Sequence, residues 1–200
     1  MSDKVGDDRD PYLYAGINVM RNLLGIRQAQ RLEKAAWELT ALRAATLELG
    51  PQARGLPHLC AIHRHIYQDV FEWAGEIREL DIYQGDTRFC HFEYIEKEGN
   101  ALMRSLESED WLQNLDKAEF VKRLAHYYCE INVLHPFRIG NGITQRIFFE
   151  QLALHAGYQL DWRDIDPQTW AEANQAGAMG ELAALETIFG KVVSEASETE

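Results

Sequence analysis

His135-Pro136-Phe137-Arg138-Ile139-Gly140-Asn141-Gly142-Ile143-Thr144-Gln145-Arg146 is the stretch on which the reading of this chain turns. Gly140 and Gly142 free the backbone to bend sharply, and Asn141 tolerates left-handed angles. A helical pattern follows from about Gly142 to Ala156. Its first N–H groups therefore have no intrahelical partner and point back at the loop. Such a helix start accepts phosphate oxygens. Arg146, one turn in, can add a forked, charged hydrogen bond to phosphate. His135 precedes the turn and can take a proton from an incoming hydroxyl near neutral pH. Phe137 is expected to point inward and anchor the loop. Singly, each piece has a plainer reading as a turn, a surface histidine or a solvated arginine. Together they describe a place to hold a polyphosphate and move a proton beside it.

The rest of the chain reads as one mainly helical domain. Between Arg27 and Leu49 the residues Leu32, Ala35, Ala36, Leu39, Leu42 and Thr46 recur at helical spacing, and Gly50-Pro51 stops the run. A second helix is expected from His58 to Trp73, with Leu59, Ile62, Ile66, Val70 and Trp73 on one stripe and Gly75 as its end. The pattern then changes. Leu80, Ile82 and Tyr83, the turn Gly85-Asp86-Thr87 and then Phe89 predict a short β-hairpin within Arg78–His91, the one convincing strand segment. Helices are expected over 93–106, 117–134, 142–156, 167–176 and 180–193. Pro11-Tyr12-Leu13-Tyr14 reads as an aromatic entry that packs on the body. Residues 1–10 and 194–200 read as flexible polar tails, leaving 11–193 as the domain.

Composition narrows the partners. The chain has 200 residues, is 46% hydrophobic and carries a formal net charge of -12. That size and apolar fraction suffice for one core, and the charge disfavours a nucleic acid or an anionic membrane surface. No apolar run approaches the ~20 residues of a membrane span, and the charged start is no signal peptide. Cys60, Cys90 and Cys129 are odd in number and scattered, which suits a reducing, cytoplasmic setting. His58, His63 and His65 crowd one stretch, but His63 and His65 point to different sides of a helix, a poor metal set.

The opening run resembles the signature of the Fic family, HPFx[D/E]GNGRxxR. His135, Pro136, Phe137, Gly140, Asn141, Gly142 and Arg146 match it in order and spacing. The stretch His65–Arg78 resembles the helix that leads into the family's flap, and the hairpin at 79–92 resembles the flap. The likeness spans most of residues 10–190, and looks closest to short bacterial Fic proteins that act as toxin halves of toxin–antitoxin pairs. It implies a Fic fold, a single helical domain with a hairpin flap. It also implies a protein adenylyltransferase, which moves AMP from ATP to a hydroxyl side chain of a target protein. By this resemblance His135 is the base, and Gly140, Asn141, Gly142 and Arg146 hold the phosphates, with Gln84, Gly85 and Arg138 also at the nucleotide. Ile82, Tyr83 and Phe89 would dock a target segment by strand addition. A type II topoisomerase is the target that toxin-type relatives suggest. A separate small antitoxin would supply an inhibitory glutamate near Arg146, because Ser194 and Glu198, which have the spacing of an internal inhibitory motif, read as solvated tail.

Three positions depart from the pattern. Gln84 stands where the family often has lysine. Ile139 stands at the acidic position whose carboxylate binds Mg2+, so the metal's protein ligand is missing. Ile143 replaces the first arginine, and losing one such preorganised group typically costs about 100- to 1,000-fold in rate. The expectation is a weakened enzyme. The alternative is a degenerate Fic fold that binds an antitoxin or a nucleotide without chemistry, and a third reading has the altered pocket moving another phosphate-containing group.

Overall fold

The computed structural model describes residues 4–5, 10–48, 54–85 and 87–196. Seven α-helices, α1 (Ala29–Ala44), α2 (Leu56–Tyr67), α3 (Ile95–Ser108), α4 (Lys117–Leu134), α5 (Asn141–His155), α6 (Pro167–Ala178) and α7 (Ala183–Val192), carry the described residues. Five short strands accompany them: β1 (Lys4–Val5), β2 (Ile82–Gln84), β3 (Thr87–Arg88), β4 (Tyr158–Leu160) and β5 (Val193–Glu195). The mainly α expectation holds.

Helix α4 runs through the centre, packed by α3, α5, α6 and α7. Asp116 caps it by accepting the Glu119 N–H at 2.9 Å. Its buried residues Phe120, Leu124, Tyr127, Tyr128 and Ile131 are the expected stripe. Helix α3 crosses closely at Gly99, where an added Cβ would lie 3.1 Å from Leu56 and 3.2 Å from Leu134. Behind the α4–α5 pair, Tyr128, Phe149, Trp162, Trp170 and Phe189 form one aromatic cluster.

Several expectations need correction. Helix α2 stops at Tyr67, not Trp73. The chain continues in turns, and the Val70 carbonyl accepts the Leu23 N–H at 2.9 Å instead of a helical partner. Val70, Phe71 and Trp73 are still buried, so the apolar spacing reported burial rather than continued helix. Helix α1 ends at Ala44; the Gly50-Pro51 stop lies outside the described residues. Leu42, expected on its buried stripe, is 68% exposed.

The hairpin is β2–β3, antiparallel with Tyr83 opposite Arg88 and Gln84 opposite Thr87, and Gly85 takes φ +61 in its turn. It is not the only strand pairing. Strand β1 adds to the other edge of β2, with Lys4 opposite Tyr83 and Val5 opposite Ile82, inside the segment read as a free tail. Strand β5 pairs with β4, so Ser194 and Glu195 belong to a ladder and not to the acidic tail. Glu198 lies outside the described residues. Ladder bonds between segments distant in sequence satisfy backbone groups that such polar side chains do not advertise.

Candidate active site

The motif lies between α4 and α5, and each end is fixed by backbone geometry. His135 ends α4 with a left-handed backbone, φ 45 and ψ 63, its N–H still donating to the Ile131 carbonyl at 3.1 Å. Gly140 precedes α5 with φ +76, and an added Cβ there would sit 2.3 Å from the Tyr67 ring. Only glycine fits both the angle and the space. Between them Asn141 closes the loop on itself. Its Oδ1 accepts the Phe137 N–H at 2.9 Å and its Nδ2 donates to the Phe137 carbonyl at 2.7 Å. The Asn141 side chain is thus a brace of the loop, and only its backbone is left for a phosphate.

Two buried residues from α2 and the flap's approach hold the loop from outside. Phe137 is 1% exposed and stacks on the His63 ring, centroids 4.0 Å apart and planes 13° from parallel. His63 Nδ1 accepts the Gly75 N–H at 2.8 Å, which leaves the proton on Nε2 to donate to the Ile139 carbonyl at 3.0 Å. Burial pushes the His63 pKa down to about 4, so the ring is neutral at pH 7. Arg78 is 1% exposed. It donates to the carbonyls of His135 (2.7 Å), Leu80 (2.6 Å) and Cys90 (2.6 Å), and its backbone N–H donates to the Pro136 carbonyl at 2.9 Å. It therefore ties both legs of the hairpin to the start of the motif. Asp81 below it accepts from His91 Nδ1 at 2.9 Å and the Phe92 N–H at 3.0 Å, and contacts Arg88 at 3.5 Å.

The predicted site residues fall into two groups. His135, Gly140, Asn141 and Gly142 are brought together. Gly142 is exposed at the first turn of α5, where no side chain caps the helix and an added Cβ would meet nothing within 4 Å. Open space beside uncapped N–H groups is what an anion needs. Gln84 and Gly85 are exposed at the hairpin tip. Arg138 is not turned to this space: it is 6% exposed and pairs with Asp10, Nη2 to Oδ2 at 2.6 Å and Nε at 3.1 Å. Of the expected docking residues, Ile82 is fully buried and Phe89 is 6% exposed, so Tyr83 alone is partly open. The resemblance implies docking for the hairpin as a whole, and strand alternation turns Ile82 into the core while its neighbour Tyr83 faces outward. Arg146 is half-buried beside the Trp162 ring (5.2 Å) and the Trp170 ring (5.7 Å).

Ile139 and Ile143 are half-buried and pack against the core. The loop offers no carboxylate, and among the described residues no group of three or more His, Cys, Asp or Glu could hold a metal ion. The residues present do not fit the Mg2+ that the motif's resemblance implies. His58 bonds Gln151 and His65 bonds Thr46 and the Arg43 carbonyl, so the three neighbouring histidines do not converge. Burial raises the Cys60 and Cys129 thiols to about 11, keeping both protonated. His63, Asp10 and Tyr67 were missed from the sequence. His63 lies four residues after Leu59 and three before Ile66, and a histidine at an apolar stripe position was the available signal.

A helical domain whose buried histidine and arginine present an HPF–GNG loop beneath a hairpin is a Fic domain, and the chain belongs to the Fic/DOC family, whose model matches residues 55–153. The Salmonella typhimurium protein named "Probable protein adenylyltransferase Fic" is 72% identical over 200 residues, covering 100% of both chains. The Escherichia coli K12 protein of the same name is 70% identical, again over 100% of both. Among solved structures, the N-terminal Fic domain of a VirB-translocated Bep effector from Bartonella quintana, with bound ADP, superposes with a TM-score of 0.85. It is 26% identical, and the match covers 93% of this chain and 95% of that one. No helix among the described residues is long and apolar enough to cross a membrane.

Proposed function

We propose that this protein is a protein adenylyltransferase. A hydroxyl oxygen of the target attacks the α-phosphorus of ATP, the bond to the α,β-bridging oxygen breaks and pyrophosphate leaves. His135 takes the hydroxyl proton. The N–H groups at the start of α5, with Gly142 leaving room beside them, hold the phosphates, and Arg146 reaches the outer ones. The observation that carries this reading is the joint fixation of His135 and the Gly140-Asn141-Gly142 turn by Arg78, His63 and Tyr67: a fold that had lost its use for the loop would not need so many buried polar groups to shape it. The names of the relatives at 72% and 70% identity support the same activity.

Ile139 and Ile143 make the enzyme weak. The loop itself offers no carboxylate ligand for a metal. Strand addition by a target has to use the outer edge of β3 or displace β1, since β2 is flanked on both sides. The protein is cytoplasmic, and an antitoxin glutamate beside Arg146 restrains it, consistent with a toxin role against a target such as a type II topoisomerase. Ile139 and Ile143 packed on the core favour a second reading, a binding protein without chemistry. Labelled ATP, Mg2+ and candidate targets are incubated with the native protein, with His135→Ala and with Ile139→Glu/Ile143→Arg. Labelling by the native protein that His135→Ala abolishes is expected. Labelling only by the double variant would establish the second reading instead, and parallel GTP, UTP and CDP-choline reactions test transfer of another group.

A further inference from the structure

Phe89 sits at the foot of the hairpin, yet its ring faces the catalytic centre. It lies flat on the His135 imidazole, with centroids 3.8 Å apart and planes 9° from parallel. The backbone on either side is pinned. The Phe89 N–H donates to Ile82 O at 3.2 Å, and the Cys90 N–H to Val133 O at 3.0 Å. Arg78 Nη2 donates to the Cys90 carbonyl at 2.6 Å while its Nε donates to the His135 carbonyl at 2.7 Å. The two stacked rings thus hang from one clamp. A side chain at 135 on a left-handed backbone has lost the helix wall that normally restricts its rotamers. A parallel ring restores that restriction through the imidazole's face, so it sets the plane without drawing on either ring nitrogen.

We propose that Phe89 is a positioning residue for the general base: its ring fixes the plane of the His135 imidazole, and Arg78 keeps the two in register. The hairpin then supplies part of the catalytic alignment as well as the docking edge. The inference rests on the adenylyltransferase reading for its kinetic consequence, but its structural half stands without it.

The test has an arm for each half. In the unmodified protein, NMR of the His135 ring should show upfield ring-current shifts and contacts to the Phe89 ring protons. Phe89→Leu should abolish the upfield shift and Phe89→Tyr should retain it. Absence of both signatures in the unmodified protein overturns the proposal whether or not any variant folds or the protein has activity. In AMP transfer, run in the native or the Ile139→Glu/Ile143→Arg background, Phe89→Leu should lower kcat about 10- to 100-fold, the range expected for a misplaced reacting group. Target KM and nucleotide affinity should hold, and Phe89→Tyr should restore kcat. A raised target KM with kcat intact would instead make Phe89 a docking residue and sink the proposal. Failure of all labelling alongside an intact ring-current signature would count against the enzyme reading alone.

Discussion

His63 shows how much one side chain can decide. Its ring joins the Gly75 N–H, the Phe137 face and the Ile139 carbonyl. A second proton would have to go on Nδ1, which is accepting the Gly75 N–H. Protonation therefore breaks a hydrogen bond as well as charging a buried ring. The folded-state pKa of about 4 lies below the unfolded value of 6.5. Between those values the unfolded chain holds more protons, so stability rises with pH. The contribution is fully present above about pH 6.5 and is lost as pH falls toward 4. Urea melts at pH 7 and pH 5 should differ by roughly 2 kcal/mol from this group. In His63→Gln that difference should shrink; equal slopes in both proteins would show that His63 does not titrate in this range. Carboxylates that titrate lower, such as Asp161, held down to about 2 by Arg163, add little in that window.

At the scale of elements, Arg78 is the hinge between flap and motif. Lysine keeps its charge but cannot fork toward several carbonyls. Arg78→Lys should destabilise the fold by about 2 kcal/mol or more, since buried carbonyls lose their donors. The Phe89 and Cys90 amides should exchange with solvent faster than those of α4, as a flap released from its clamp opens locally. Uniform acceleration across the molecule would mean that Arg78 serves global stability and not the flap. Most elements were legible because they carry their own period: the α4 stripe from Phe120 to Ile131 predicted its helix to the residue. The hairpin was legible from its glycine turn. What stayed hidden was pairing between distant segments. Strands β4 and β5 are three residues each and separated by two helices, and β1 is two residues long. Nothing local distinguishes such pieces from loop. The motif's frame was legible from residue order, whereas its supports at His63 and Arg78 were visible only as unassigned polar residues, since their partners come from elsewhere in the fold.

For the whole molecule, the telling contact is Asp10 with Arg138, two side chains 128 positions apart and both nearly excluded from solvent. It binds the chain's beginning to the motif. Asp10 also accepts the Tyr12 N–H at 2.9 Å, and the Tyr12 hydroxyl accepts the Glu79 N–H at 3.1 Å. The amino-terminal segment is thus fastened on both sides of the loop. Removing one partner leaves a buried charge alone, so Asp10→Ala should cost about 3–5 kcal/mol. Asp10→Leu/Arg138→Met should recover much of that loss, because an apolar pair avoids the desolvation that the ion pair only offsets. Chemical denaturation of the three proteins decides it, and a double variant as unstable as Asp10→Ala would show that the charges themselves are needed. The polar run before Pro11 hid this anchor, since a carboxylate's burial depends on a counter-charge that sequence order does not place.

The His63 bond to Ile139 reaches the main chain and not the side chain. That hydrogen bond is therefore available whatever side chain occupies the position, while Ile139 adds its own apolar packing on the core. Gly140, Asn141 and Phe137, by contrast, are locked by their own atoms. A lineage carrying this domain could trade the isoleucine for an acid, or an acid for isoleucine, without dismantling the scaffold around it. The hydrogen-bonded frame of the loop can be inherited unchanged while the side chain at position 139 varies.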